Sequence, residues 1–226
     1  MFQALIFDLD GLLIDSETIY RKISYKMAAD LGKQLHDGIW VKQMGRSPLE
    51  SLGIFRKELG ITTHTARELV DLRNVLLTAS YRKELQIMAG AMEIIHAFHG
   101  KMRMAIATGS PRKLMELAIE KLGLTGYFEY MLPSDEIVSG KPDPEIYLRT
   151  VHALGLQPDE CIVLEDSSNG ALSGHLAGCY VIAVPSDYTR NQDFSFADHV
   201  AGDLFEARLW VENIITSSSG KARPIG

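Results

Sequence analysis

The stretch IFDLDGLLIDSE, residues 6–17, ends an apolar run with two aspartates one residue apart, Asp8 and Asp10, and Gly11 follows at once. The run itself, ALIF at 4–7, is short and continuously apolar, the pattern of a strand buried on both faces. Residues two apart on an extended chain point the same way, so Asp8 and Asp10 face one pocket if the backbone stays extended through them. A buried strand that delivers two negative charges to one point needs a cation there.

Comparable runs recur along the chain: MAIA before Thr108, YML before Pro133, CIVL before Glu165 and YVIAV before Pro185. Between them the spacing predicts helices. PRKLMELAIEKLG has Pro111 near its start and Gly123 as a stop, and DPEIYLRTVHALG repeats the design, ending at Gly155. Alternating strands and helices predict an α/β fold, a Rossmann-like, doubly wound parallel sheet covered on both sides. The rhythm breaks between about Ser16 and Gln86, where ETIYRKISYKMAADLG, PLESLGIFRKELG and TARELVDLRNVLLTASYRKEL read as helices with no clear strand. The expected organisation is therefore a discontinuous core, residues 1–15 and 88–226, with an all-helical cap inserted at 16–87. Hinges fall near Asp15 and near Ala89–Gly90, and the polar tail TSSSGKARPIG reads as a frayed terminus.

The chain of 226 residues is 46% hydrophobic and 23% charged, close to the averages for soluble globular proteins, and a sizeable core is expected. Its formal net charge of −6, with acids and bases interspersed, leaves no basic footprint for nucleic acid and no polybasic membrane patch. No apolar run approaches the roughly 20 residues that span a bilayer, and MFQALIFDLD does not read as a signal peptide. Cys161 and Cys179, the two cysteines, read as buried thiols of a reducing compartment. A cytoplasmic protein follows, and a monomer is the expected state.

In open α/β sheets ligands bind at the carboxyl ends of the strands. Four polar clusters fall there: Asp8 and Asp10; Thr108, Gly109 and Ser110; Lys141 in SGKPDPEIY; and Glu165–Asp166 in LEDSSNG. Each alone has a plainer reading. Asp10–Gly11 is a common turn signal, and Thr108–Ser110 suits a helix N-cap. SGKP is not a P-loop, since Pro142 replaces the Ser/Thr and the upstream glycine is absent. A calcium loop laid over DLDGLLIDSE would put Ile6 where the first ligand belongs.

Taken together and in order, the four clusters resemble the four motifs of the haloacid-dehalogenase-like (HAD) superfamily. The insertion after the first motif resembles that superfamily's C1 cap. FDLDGLLIDSE, MGRSPLES and EDSSNG are similar to the β-phosphoglucomutase-like and pseudouridine-5′-phosphatase-like members. One departure is Ala89, in MAGAME, where relatives usually carry proline before the glycine. The resemblance implies that Asp8 is a nucleophile forming an aspartyl-phosphate. Asp10 would protonate the leaving oxygen and then deprotonate the attacking water or hydroxyl. Thr108 and the amides of Gly109 and Ser110 would cradle the phosphate, and Lys141 would hold both Asp8 and the phosphate.

The charges themselves call for a metal. Two unit charges about 4 Å apart repel by roughly 4 kcal/mol at an effective dielectric of about 20. Asp8, Asp10, Asp166 and Glu165 offer only oxygen, with no cysteine or histidine nearby, which selects Mg2+ over zinc. By resemblance its ligands are the carboxylates of Asp8 and Asp166 and the backbone carbonyl of Asp10, with Glu165 a further candidate. In the cap, Glu17 and Tyr20 look into the pocket. Arg46 meets either the substrate, at its distal part or its phosphate, or only solvent.

The expected function is Mg2+-dependent hydrolysis of a small phosphorylated metabolite, a sugar phosphate or a nucleoside monophosphate. A phosphomutase of the β-phosphoglucomutase type is the alternative enzyme. Such mutases tend to carry a histidine near position 20, where this chain has Tyr20. A non-catalytic phosphometabolite sensor is the alternative from another class, and it would have no use for a nucleophile and a general acid.

Overall fold

The computed structural model describes residues 1–43 and 46–219. The chain opens with β1 (Ala4–Phe7), then α1 (Glu17–Asp30), α2 (Asp37–Gln43), α3 (Pro48–Glu58) and α4 (Ala66–Glu84). It continues through α5 (Ala91–Phe98), β2 (Arg103–Ala107), α6 (Arg112–Lys121), β3 (Tyr130–Leu132) and α7 (Glu145–Ala153). Last come β4 (Cys161–Glu165), α8 (Ser168–Leu176), β5 (Tyr180–Ala183), β6 (His199–Val200) and α9 (Leu204–Ser219). The strands form one sheet in the order β3-β2-β1-β4-β5-β6, every neighbouring pair parallel. Order reverses at β1, so the crevice beside its carboxyl end is the topological switch point of the sheet.

The fold class is the one the sequence predicts. β1 and β4 are wholly buried because helices cover both faces, and their continuous apolar runs record that. Leu5, Phe7, Ile162 and Leu164 pack on one side of the sheet, and Ala4, Ile6, Cys161 and Val163 on the other. Both cysteines are buried and unbridged; burial pushes each thiol up to about 12.

Among the described residues, the chain from Glu17 to Glu84 holds helices and no strand. α3 and α4 start at capping boxes, Ser47 with Glu50 and Thr65 with Glu68, which satisfy amides the helices leave open. The outgoing and returning chains meet before α5. The Asp15 amide donates to the Gln86 carbonyl at 3.0 Å, and the Met88 amide to that of Leu13 at 2.9 Å. The crossing thus lies slightly ahead of Ala89–Gly90. The expected frayed tail begins too early, because Thr216–Ser219 still belong to α9; residues 220–226 lie outside the described residues.

Candidate active site

Register brings the sequence clusters level. Phe7 pairs with Ile106 on one side and Leu164 on the other, so Asp8, Ala107 and Glu165 follow at the same height. Backbone bonds carry the alignment past the strands, from the Asp8 amide to the Leu164 carbonyl and from the Thr108 amide to that of Leu132, both at 3.0 Å. Asp8, Thr108, Ser110, Glu165 and Asp166 are all buried. A cavity of about 550 Å³ lined by Phe2, Arg103 and Tyr127 opens at the other end of β1 and β2, away from these groups.

Lys141 ties the clusters together. Its Nζ donates to Asp8 Oδ1 at 2.6 Å, to Glu165 Oε1 at 2.5 Å and to the Ala107 carbonyl at 3.0 Å. Tyr147 Oη also donates to Glu165 Oε1, at 2.6 Å, and the Lys141 ammonium lies 5.1 Å from the centre of the Tyr147 ring. The second Glu165 oxygen accepts from the amide and hydroxyl of Ser167. Glu165 therefore lies in the cluster with both carboxylate oxygens engaged by protein donors.

Asp10 is held from two directions. Thr108 Oγ1 donates to its Oδ2 at 2.9 Å, and Tyr81 Oη, from α4, donates to its Oδ1 at 3.0 Å. Thr108 Oγ1 in turn accepts from the Ser110 amide at 3.0 Å, and Gly109 lies on the exposed turn between them. Glu17 opens α1 beside Asp10 and Asp15. Burial and those two carboxylates push it up to about 7, partly offset by Ser186. Tyr20 lies beside Ser110 and Tyr81. Arg46 is exposed and turns its Nε back to the Lys42 carbonyl at 2.8 Å. Among the described residues no hydrogen bond or ion pair links it to the carboxylates; Met44 and Gly45 of the same loop lie outside the described residues.

Three functional-looking residues escaped the sequence reading. Tyr147 and Tyr81 carry no motif, and they matter only because the fold brings each to a carboxylate distant in the chain. Arg73 did leave a signal. Leu69, Arg73, Leu77 and Tyr81 recur every four residues on α4 and are all buried, so a charge stands in an apolar stripe.

Asp8, Glu165 and Asp166 each offer a carboxylate oxygen, and these atoms lie within 4.8 Å of one another. Burial, then the nearby Glu165 and Asp10 charges, push Asp8 up to about 8 although Lys141 opposes the shift. Asp166 is raised well above its ordinary value by burial, Asp8, Glu165 and Glu17. Burial works against the Lys141 ammonium, but Asp8 and Glu165 outweigh it and hold its pKa above the usual lysine value. One lysine cannot offset three buried acids, and an all-oxygen donor set with excess negative charge fits a hard divalent cation.

This charge excess has a pH signature. The folded pKa of Asp8, about 8, lies above its ordinary value of 3.8, so over that window the fold keeps a proton that the unfolded chain releases. That stabilisation is complete below about pH 4 and is lost as pH rises through about 8. The melting midpoint in EDTA is expected to fall between about pH 5 and about pH 8, and a divalent cation to raise it more at the higher pH. A cation response equal at both would contradict the charge excess.

Gly11 makes room for Asp166. Its φ is +82°, in the left-handed region, and an added Cβ would collide with the Asp166 carboxylate. Gly11→Ala is expected to cost about 1–3 kcal/mol of stability and to weaken divalent-cation binding, read by denaturation and calorimetry. Unaltered cation affinity would separate the turn from the acid cluster.

The comparisons settle the lineage. The sequence profile of haloacid dehalogenase-like hydrolases matches residues 5–184. The chain belongs to that family. It is 34% identical to protein CbbY of Rhodobacter capsulatus over 221 residues, covering 91% of this chain and 95% of that protein. Identity to the phosphorylated carbohydrates phosphatase of Thermotoga maritima is 30%, over 78% of this chain and 82% of that one. Among solved structures, CbbY from Rhodobacter sphaeroides in complex with phosphate superposes with a TM-score of 0.83 at 23% identity, over 91% and 96% of the two chains. β-Phosphoglucomutase from Clostridium difficile gives 0.79 at 18%, over 98% and 100%. At such identities the two superpositions speak for the fold. The HAD resemblance read from the motifs is thereby established, with phosphomonoester hydrolase as the enzyme type, and the likeness to a β-phosphoglucomutase is one of fold. No helix among the described residues is long and apolar enough to cross a membrane.

Proposed function

We propose that this HAD-like enzyme is a Mg2+-dependent phosphatase of a small phosphorylated metabolite, a sugar phosphate before a nucleoside monophosphate, acting through a phosphoryl group carried on Asp8. The observation that carries this is Lys141 Nζ bridging Asp8 and Glu165 at the switch point of the sheet. The choice of sugar phosphates draws on two relatives, the Thermotoga maritima enzyme and the fructose-1-phosphate phosphatase YqaB of Escherichia coli, 28% identical over 81% of this chain.

Lys141 occupies Asp8 Oδ1, which leaves Oδ2 to attack phosphorus. The bond to the ester oxygen breaks, and Asp10 donates its proton to that oxygen. Water then attacks the aspartyl-phosphate, Asp10 takes its proton, and the acyl phosphate bond breaks to return the Asp8 carboxylate. Thr108 and Tyr81 hold the two Asp10 oxygens and aim the carboxyl group. Asp8, Asp166 and the Asp10 carbonyl would hold Mg2+, whose charge, when bound, neutralises the phosphoryl oxygens. Lys141 and the amides of Gly109 and Ser110 receive the same oxygens, while Glu165 keeps Lys141 in place. Residues 16–87 serve as a cap over the exits of β1 and β4, in a monomeric cytoplasmic protein.

Phosphate release from fructose 1-phosphate, other hexose phosphates, nucleoside monophosphates and an aryl phosphate, in EDTA and in Mg2+, tests this. Release from at least one metabolite, restored by Mg2+ after EDTA, is expected. Silence across the panel with Mg2+ present would favour the phosphometabolite sensor. Isomerisation that requires a sugar bisphosphate would favour the mutase, although Tyr20 stands where such mutases carry histidine.

A further inference from the structure

An ammonium has three N–H donors, and Lys141 engages all three, with Asp8 Oδ1, Glu165 Oε1 and the Ala107 carbonyl. Two carboxylates therefore compete for one charge. Glu165 anchors the lysine at the sheet exit, but a Glu165 with no other donor would draw Nζ off Asp8 and away from an incoming phosphoryl group. What Glu165 accepts from elsewhere decides how much of the lysine the reaction can use.

Tyr147 is the donor placed to make that division. It stands on α7, fully buried, in the same apolar layer as Ala107 and Val163. Its hydroxyl donates to Glu165 Oε1 at 2.6 Å, the same oxygen that Lys141 Nζ reaches at 2.5 Å. An ionised carboxylate only accepts, so the phenol is the donor. The Tyr147 ring centre lies 5.1 Å from the ammonium, within cation–π range. One side chain thus touches both the cation and the anion that competes for it. Glu165 has no other place to go. Its Oε2 accepts from the amide and hydroxyl of Ser167, and an added Cβ at Gly170 would collide with its carboxyl group, so the first turn of α8 closes over it.

The geometry assigns Tyr147 as a positioning residue for Lys141. Its hydroxyl takes up part of the Glu165 charge and its ring supports the ammonium, which leaves the lysine to Asp8 and the phosphoryl oxygens. The inference deepens the phosphatase reading and rests on it. Phenylalanine supplies the ring without the hydroxyl, so Tyr147→Phe separates the two contributions.

With p-nitrophenyl phosphate and Mg2+, Tyr147→Phe is expected to lower kcat about tenfold and to leave KM within about twofold, because the lysine matters most where charge builds on the phosphoryl oxygens. In a Glu165→Gln background the same change is expected to cost less than about twofold, since an uncharged amide does not compete for the ammonium. Calorimetric titration with orthovanadate in Mg2+ reads the same two effects without turnover. Vanadate affinity that falls about tenfold in Tyr147→Phe, but not in the Glu165→Gln background, would support the positioning; a wild type that then released no phosphate would count against hydrolysis alone. Activity and vanadate affinity within about twofold of the wild type, a loss carried by KM alone, or equal losses in both backgrounds would overturn the assignment and leave the phosphatase reading standing. A wild type that neither turns over nor binds vanadate would overturn both. A crystal structure of Tyr147→Phe covers the case in which Glu165→Gln fails to fold. Nζ is expected to have moved off Asp8 toward Glu165 there, and an unmoved Nζ would overturn the assignment.

Discussion

Asp8→Asn is expected to lower kcat by about four orders of magnitude or more, in keeping with the loss of a covalent nucleophile, and to leave a folded protein. An amide of the same shape cannot form the acyl phosphate. Lys141 still keeps Glu165 and the Ala107 carbonyl, so the ammonium is not orphaned. The crowded cluster also loses one of its three negative charges. The metal-free variant should therefore melt no lower than the wild type near neutral pH, and its stability should depend less on pH between about 4 and about 8, the window the raised Asp8 pKa creates. Phosphate release and melting in EDTA across pH read the two halves separately. Activity within about tenfold of the wild type would rule out Asp8 as nucleophile.

What the sequence made legible follows from how each element is buried. The five longer strands each carry a continuous apolar run, because a sheet covered on both faces needs one. β6 is two residues long and half exposed, so it carries no such run. α2 is a short helix with only Trp40 and Gln43 buried, too little for a periodic pattern. α5 is eight residues with a broad apolar face, which periodicity alone does not tell from a buried strand. In the site, the acids and the lysine are visible because they sit at strand exits in motif order. Their supports are not visible. Tyr147 reaches Glu165 from α7 and Tyr81 reaches Asp10 from α4, and neither contact leaves a local pattern. Gly11 was read as a turn residue, and it is one; its second task, clearing space for Asp166, appears only with the strands assembled.

Lys141→Met carries the largest expected loss of stability. The Lys141 side chain is 12% exposed and is the cation in ion pairs with both Asp8 and Glu165, whose side chains are 7% and 1% exposed. Removing it strands two buried carboxylates beside Asp166, and breaking a buried pair from one side costs about 3–5 kcal/mol. Methionine fills the volume of the lysine stem, so the loss reads charge and not a cavity. The sign with pH is fixed. Without the lysine the pKa values of Asp8 and Asp166 climb further above the unfolded ones, so the penalty grows as pH rises and shrinks in acid, where the acids are protonated. A divalent cation should recover part of it, since the cluster then has a countercharge again. Turnover should fall by about three orders of magnitude even with the cation present, because the phosphoryl oxygens lose a donor that the metal does not replace. A Lys141→Met protein that melts within a degree of the wild type at alkaline pH in EDTA would mean the acids are neutralised by something other than this lysine, and the charge balance argued for the site would be wrong.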